Sequence, residues 1–108
     1  MTDKIVVFST CADAAEAEAL AKRLVEKRLA ACVSIVPQAR SIYRWKGQVE
    51  DSAECLLIIK SRRGLFDRLS AEISNAHSYD VPEIIATSIV EGAPAYLRWL
   101  ERELSHEA

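Results

Sequence analysis

The side chains best suited to chemistry stand together in one short stretch, residues 77–85. This stretch carries an imidazole at His77, a phenol at Tyr79 and carboxylates at Asp80 and Glu83, beside a hydroxyl and a proline. A helical pattern precedes the stretch and an apolar run follows it. Functional side chains tend to gather where a rigid element meets a loop, so this junction is the first candidate for a binding site.

Metal ligation is one chemistry that these side chains support. A firm transition-metal site uses three or four ligands from Cys, His, Asp and Glu, but the sequence has two histidines and neither a Cys-x-x-Cys nor a His-x-x-x-His motif. His106 lies near the end of the chain, which leaves His77 and Cys11 as candidate ligands, with Glu83 as a further oxygen donor. A lone histidine after a helix also suits a capping or surface role, and Cys11 also suits the end of a strand. The prediction is therefore a weak site at most.

Length and charge set the class of protein. The chain has 108 residues, a net charge of −2 and three cysteines without paired spacing. One domain, residues 1–108, is expected at this length, and the charge argues against a nucleic-acid surface. Neither a signal peptide nor a membrane-spanning run is visible at the N-terminus. Because the cysteine pattern fits a reducing compartment, we expect a cytoplasmic protein with no nucleic-acid and no membrane partner.

Enzyme signatures are missing from the sequence. Three glycines leave no room for a phosphate-binding loop or a Gly-x-Gly-x-x-Gly motif, and no Gly-x-Ser-x-Gly motif occurs. We therefore assign no catalytic residue, predict that the protein is not an enzyme, and expect no organic cofactor.

Apolar periodicity predicts the elements that position these side chains. Asp13 and Glu16 form the start of a helix, with the spacing of a capping box. The turn at residues 46–48 contains a glycine, as a tight hairpin requires, and Pro37 is expected to interrupt the second strand. The predicted strands are residues 5–8, 31–36 with 41–45, 49–60 and 84–90, and the helices are residues 13–28, 62–76 and a last one from residue 94. This order is βαββαβ with a C-terminal helix, an α+β fold of the ferredoxin-like type.

Two of the predicted strands are apolar on both faces. Residues 5–8 and 55–59 are continuous apolar runs, whereas an antiparallel sheet with one face in water should alternate apolar and polar residues. The crossover helices of this fold cover one face only. The last helix can cover part of the second face, and another subunit is expected to cover the rest, since a large exposed apolar patch promotes aggregation.

The motif His77-x-Tyr79-x-x-Pro82-Glu83 resembles the signature of the CutA family, the divalent-cation tolerance proteins. Residues 30–37, 41–47, 54–60 and 96–100 agree with that family in the same order. The resemblance implies a homotrimer that is similar in plan to the PII signalling proteins, with the sheets turned inward. It also implies a pocket between neighbouring subunits, lined by Cys32, Trp45, Glu54, Lys60, Tyr79 and Glu83.

Two interpretations of that pocket stay open. Glu54 and Lys60 are six residues apart on one predicted strand, so they share a face. A few polar groups among apolar walls are typical of a small-molecule site. Alternatively, the two charges form ion pairs between subunits and fix the register of the trimer. Cys32 is either packed as a small apolar residue or exposed to this pocket.

The resemblance implies a function in divalent-cation tolerance, and the candidate ligands favour weak binding of copper(II) or another divalent cation. Ser9 and Ala76 stand where some metal-associated members carry cysteine and histidine, which reduces the number of ligands. The alternative is a PII-like small-ligand sensor or interaction hub that uses the cleft without catalysis, with a small molecule or protein as its partner.

Overall fold

The structure, a computed structural model, describes residues 2–107. It contains four strands and three helices in the predicted order, with a short 3-10 turn at Arg63–Leu65. The strands are β1 (Lys4–Cys11), β2 (Cys32–Trp45), β3 (Gln48–Arg62) and β4 (Ile85–Ser88), and the helices are α1 (Ala14–Glu26), α2 (Phe66–Ala76) and α3 (Pro94–Glu103). The sheet is antiparallel with strand order β2-β3-β1-β4, which confirms the ferredoxin-like fold with a C-terminal helix.

Helix α1 begins where the capping pattern predicts. Asp13 is the N-cap, and its carboxylate accepts a hydrogen bond from the amide of Glu16 at 2.8 Å. This bond satisfies one of the amides that the first helical turn leaves without a partner. Leu20 and Leu24, four residues apart, are both buried, so the helix packs one apolar face onto the sheet.

The hydrophobic core lies on one face of the sheet. Val7, Leu57 and Ile59 are fully buried there, together with Leu24 and Leu69 from the two crossover helices. Each such side chain contributes about 1.5–3 kcal/mol relative to an exposed one. The opposite face is also apolar but is only half-buried in the chain, and it carries Val6, Phe8, Leu56 and Ile58. The two-faced apolar character predicted for the strands is therefore present.

Strand β2 runs through Pro37, so the two predicted segments, residues 31–36 and 41–45, belong to one strand whose pairing is interrupted at the predicted place. The interruption is a β-bulge, in which Val36 pairs with Leu56 but the next paired residue, Ala39, lies opposite Glu54. A proline is tolerated here because β2 is an edge strand and needs no ladder donor on its free side. Directly paired residues share a face, so the bulge changes which β2 residues lie on the face of Glu54, from even-numbered to odd-numbered ones.

Other boundaries differ by a few residues from the prediction. β4 is Ile85–Ser88 rather than residues 84–90, and α2 begins at Phe66, after the 3-10 turn. The hairpin between β2 and β3 turns at residues 46 and 47, with φ angles of 50° and 81°, the backbone of a type I′ turn. Among residues 2–107, no helix is long and apolar enough to cross a membrane.

Candidate functional site

A cleft lies where the β2–β3 hairpin, the end of β1 and the segment after α2 meet. Its volume is about 590 Å³, and its walls are formed by Thr10, Ser41, Ile42, Tyr43, Trp45, Glu54, Tyr79, Asp80, Val81 and Glu83. Four of the six predicted pocket residues therefore line one cavity within a single chain: Trp45, Glu54, Tyr79 and Glu83. Asp80, which belongs to the candidate stretch at residues 77–85, also lines the cleft. The predicted pocket did not include the remaining lining residues, which are Thr10, Ser41, Ile42, Tyr43 and Val81.

The bulge in β2 explains how the hairpin contributes to this cleft. Tyr43 lies opposite Glu50, and Trp45 lies opposite Gln48. Glu50 and Gln48 are each an even number of residues from Glu54 along β3, so they lie on the same face of the sheet as Glu54. The two aromatic rings, which are paired with them, therefore lie on the face of the Glu54 carboxylate. Gln38, within the bulge, has a φ of 63°, which lets β2 accommodate the extra residue.

Glu54 is the most deeply buried charged group of the cleft. This residue is only 6% exposed. The hydroxyl of Tyr79 donates a 2.6 Å hydrogen bond to the Oε2 atom of Glu54. Burial and this carboxylate both raise the pKa of Tyr79 above its ordinary value. The phenol therefore keeps its proton at neutral pH and remains a donor.

Cys32 and Lys60 lie together but outside this cavity. They are directly paired on β2 and β3, and the Lys60 ammonium is 3.9 Å from the Cys32 sulfur and 3.3 Å from the Ser34 hydroxyl. Six residues of extended strand span about 20 Å, so Lys60 is too far along β3 to reach Glu54. The two charges share a face, as expected, but no ion pair joins them within residues 2–107.

His77 connects the end of α2 to the end of β1. Its Nδ1 atom accepts a 3.0 Å hydrogen bond from the amide of Tyr79. Because Nδ1 is an acceptor, the ring proton of a neutral imidazole lies on Nε2, which is 2.7 Å from the carbonyl oxygen of Thr10 and donates to it. Both ring nitrogens are therefore already occupied by backbone hydrogen bonds.

This imidazole belongs to a group of three side chains that offer metal ligands. Ligand atoms of Cys11, Glu16 and His77 all lie within 4.8 Å of one another. The structure thus brings together the two predicted ligands and adds Glu16, which sequence reasoning had assigned only to the helix cap. Glu83, the predicted oxygen donor, lines the cleft instead and does not belong to this group. The sequence feature that could have indicated Glu16 as a ligand is its short distance along the chain from Cys11. Cys11 ends β1, and Glu16 is part of the cap of α1.

Each member of this group has competing interactions. Burial raises the pKa of the Cys11 thiol to about 12, so the thiol is protonated at neutral pH. The Glu16 carboxylate accepts hydrogen bonds from the amides of Ala12 at 3.1 Å and Ser78 at 3.0 Å. Burial alone would raise the pKa of Glu16, but the hydrogen bonds from Ser78 and Ala12, helped by nearby His77, outweigh it and lower the pKa. A cation here must displace the thiol proton and compete with these hydrogen bonds.

Proteins of similar sequence and fold share one family. The family model of the CutA1 divalent ion tolerance protein matches residues 5–103. The divalent-cation tolerance protein CutA of Thermus thermophilus is 47% identical over 95 residues, which cover 88% of this chain and 92% of that protein. Protein CutA of Mus musculus is 42% identical over 95 residues, which cover 88% of this chain and 54% of that protein. The chain thus spans about half the length of the mouse relative.

The fold agrees with the sequence match. The crystal structure of CutA1 from Oryza sativa superposes with a TM-score of 0.94 at 42% sequence identity, covering 96% of this chain and 95% of that one. Sequence similarity extends across all four strands and all three helices, since the matched residues run from within β1 to the end of α3. The chain belongs to the CutA1 divalent ion tolerance protein family.

Proposed function

We propose that this protein acts in divalent-cation tolerance by binding a divalent metal ion weakly, copper(II) in preference to others, at Cys11, Glu16 and His77. The observation that carries this proposal is the approach of their three ligand atoms to within 4.8 Å of one another. A thiol, an imidazole and a carboxylate are a ligand set that suits copper(II) and zinc(II), and copper(II) binds more tightly in the usual stability order.

The chemistry of these residues fits a weak site rather than a structural one. Three ligands are present, but the thiol must lose its proton and His77 must give up a backbone hydrogen bond. Bound there, the ion would supply a positive charge that the Glu16 carboxylate neutralises in part. Calorimetric titration of wild type and His77→Ala with copper(II) tests the proposal, and equal affinity would remove the imidazole from the site.

The proposed working form is a homotrimer in which residues 1–108 act as one domain in each subunit. Support comes from the half-buried apolar sheet face that carries Val6, Phe8, Leu56 and Ile58, because such a face is stabilised when a second copy covers it. Sedimentation equilibrium tests this assembly, and a monomer at micromolar concentration would contradict it.

We also propose the cytoplasm as the location of the protein. All three cysteines are free thiols: Cys11, Cys32 and Cys55. Free thiols are typical of a reducing compartment. Fractionation of cells that express the protein tests this assignment, and recovery outside the cytoplasmic fraction would contradict it.

A second candidate function is that of a small-ligand sensor or interaction hub without catalysis, with the cleft as its binding site. The cavity of about 590 Å³ lies within the size range of small-molecule sites, about 300–1,000 Å³. In a trimer, Cys32 and Lys60 would complete the six-residue pocket from a neighbouring subunit. A ligand that binds only the folded protein raises its melting temperature, so a thermal-shift screen tests this function.

A further inference from the structure

Cys11 and Cys55 lie directly opposite each other on neighbouring strands. They form the last pair of the ladder between β1 and β3, and both are free thiols. Opposite residues of an antiparallel pair have their Cα atoms about 4.5–5.5 Å apart, and the Cα atoms of disulfide-bonded cysteines are about 4.4–6.8 Å apart. Because directly paired side chains also project from the same face of the sheet, the register places the two thiols within reach of a disulfide.

This pair of thiols lies inside a single subunit. Cys11 is 0% exposed and Cys55 is 5% exposed, and both belong to the core cluster that packs against α1 and α2. They are an even number of residues from Val7 and Leu57 along their strands, so they share the core face of the sheet. A second copy that covers the opposite, half-buried face would therefore leave the pair and its surroundings unchanged.

The third cysteine is separated from the pair. Cys32 is paired with Lys60, which is an odd number of residues from Cys55 along β3, so Cys32 lies on the opposite face of the sheet. A buried free cysteine usually packs as a small apolar residue. The direct pairing of Cys11 with another cysteine on the core face distinguishes these two thiols from that ordinary role.

Closing a disulfide between the paired cysteines requires only a small local movement. Opposite Cβ atoms on paired strands are about 4.5–5.5 Å apart, whereas in a disulfide they are about 3.5–4.5 Å apart. Cys11 is the last residue of β1, and the chain leaves the sheet toward the cap of α1 at Asp13. The end of the strand can therefore supply an approach of about 1 Å without disturbing the rest of the ladder.

Cys11 also belongs to the proposed metal site. Its sulfur atom lies within 4.8 Å of ligand atoms of Glu16 and His77, which are both half-buried. An ion can reach this sulfur past two side chains that contact solvent, whereas a bulky oxidant meets a thiol with no exposed surface. Zinc(II) has no redox chemistry, but copper also occurs as copper(I), which prefers thiolate ligands. Of the two ions that suit this site, copper(II) is therefore the one that can oxidise a thiol.

We infer that Cys11 and Cys55 form a redox-active dithiol, which copper(II) oxidises to a disulfide, and that this oxidation removes the sulfur ligand from the metal site. In the reaction both S–H bonds break and one S–S bond forms. Two protons pass to water, and two copper(II) ions accept one electron each and become copper(I). The inference rests on the proposed function, in which Cys11 is a ligand, and it adds a redox response to that site. In a reducing compartment such disulfides are transient, so thiol reductants restore the dithiol.

Thiol counting on the reduced, assembled full-length protein tests the inference. The protein receives two equivalents of copper(II) or zinc(II) per chain in the absence of oxygen, so that no other oxidant is present. After an acid quench, free thiols are counted in denaturant, peptide mapping locates the disulfide, and a copper(I)-selective chelator counts the reduced ions. The matched variants are Cys55→Ser, which removes the partner thiol but keeps the ligand, and His77→Ala, which removes a ligand but keeps both thiols. Unfolding curves recorded without metal show whether each variant is folded.

With copper(II), wild type should lose two of its three free thiols and produce two copper(I) ions per chain. The disulfide should join Cys11 to Cys55 and leave Cys32 reduced. Zinc(II) should leave all three thiols free, and Cys55→Ser should form no disulfide with either ion. His77→Ala should form the disulfide at least about tenfold more slowly than wild type, because disturbing the ligands of a metal site weakens metal binding by about 10–100-fold.

The contrary outcomes separate this inference from the proposed function. If wild type binds zinc(II) in calorimetry but keeps its three thiols with copper(II), or oxidises Cys32 instead, the inference is overturned and the metal site stands. If wild type binds neither ion and keeps its thiols, both are overturned. Disulfide formation at equal rates in wild type and His77→Ala would overturn the assignment of this metal site as the route of copper(II) to Cys11.

A zinc(II) titration of the oxidised protein, freed of copper by a chelator, tests the effect on the metal site. Zinc(II) should bind at least about tenfold more weakly than it binds to the reduced protein, as for disturbed ligands, and a thiol reductant should restore the affinity. Unchanged zinc(II) affinity after oxidation would overturn the claim that the disulfide removes a ligand.

Discussion

The hydroxyl of Tyr79 donates to the carboxylate of Glu54 over 2.6 Å, and this bond holds the segment after α2 against β3. The amide of the same tyrosine donates to Nδ1 of His77. Tyr79 therefore touches both candidate sites, the cleft through its side chain and the metal-ligating group through its backbone. Any movement of His77 toward a metal ion would have to be accommodated at Tyr79.

Replacing Tyr79 by phenylalanine should destabilise the protein. The change removes the one described donor to a buried carboxylate, and leaving such a group without a partner costs about 1–3 kcal/mol. Urea unfolding measures the loss. Tyr43→Phe is the matched control, because that hydroxyl makes a 3.2 Å contact with Ser52 on the exposed hairpin and should cost less than about 0.5 kcal/mol. Equal losses in the two variants would contradict the role of the Tyr79–Glu54 bond.

Glu16→Gln should remove a stabilising contribution that depends on pH. The pKa of Glu16 is lowered in the folded protein, so its charged form favours folding above the ordinary pKa of 4.5, and this contribution is lost as pH falls through the folded value. At pH 7 the variant should be less stable by about 1 kcal/mol, as for a lost helix cap. Unfolding experiments at about pH 3 to pH 7 should show that the difference in the free energy of unfolding between wild type and variant becomes smaller as the pH falls. A difference that becomes larger at acid pH would contradict this account.

Substitutions at the two residues of the hairpin turn are expected to change the stability of the protein in opposite directions. Lys46 has a φ of 50° and Gly47 a φ of 81°, and asparagine followed by glycine is the preferred pair for this turn. Lys46→Asn should therefore stabilise the protein by up to about 1 kcal/mol. Gly47→Ala should destabilise it by about 1 kcal/mol or more, although an added Cβ would meet no atom within 4 Å. Thermal unfolding of both variants distinguishes this backbone effect from packing, since a steric account predicts no loss for Gly47→Ala.

The proposed trimer should resist salt. Its interface is expected to use the half-buried apolar face of the sheet rather than exposed ion pairs, and salt screens exposed charges far more than apolar contacts. Sedimentation equilibrium should give about three times 12.0 kDa at both low and high sodium chloride. Dissociation on raising the salt concentration would show that the assembly depends on ion pairs instead.

Most of the fold could be predicted because local patterns and tertiary packing agree. The spacing of Asp13 and Glu16, the apolar periodicity of the helices and the glycine in the hairpin each point to the element that forms. The interruption at Pro37 and the return of the strand beyond it were predicted, but the form of the interruption was not. Only the pairing of Ala39 with Glu54 shows that it is a bulge, which changes the β2 residues that lie on the face of Glu54.

The candidate sites were predicted less completely than the fold, because they depend on contacts between segments that are distant in the sequence. His77 and Cys11 were identified by residue type, but Glu16 joins them only because the start of α1 folds back toward the segment after α2. Trp45, Glu54, Tyr79 and Glu83 meet in one cavity, whereas strand length separates Lys60 from Glu54. Distances along a strand can be read from the sequence, but contacts between distant segments cannot.

Copper(II) titration by calorimetry tests the central claim most directly. Wild type should bind copper(II) more tightly than zinc(II), which is not redox-active toward thiols and serves as the comparison. His77→Ala should lose most of the affinity, while His106→Ala, which removes an exposed imidazole near the chain end, should keep it. If His77→Ala binds copper(II) as tightly as wild type does, or if wild type binds none, the site at Cys11, Glu16 and His77 is wrong.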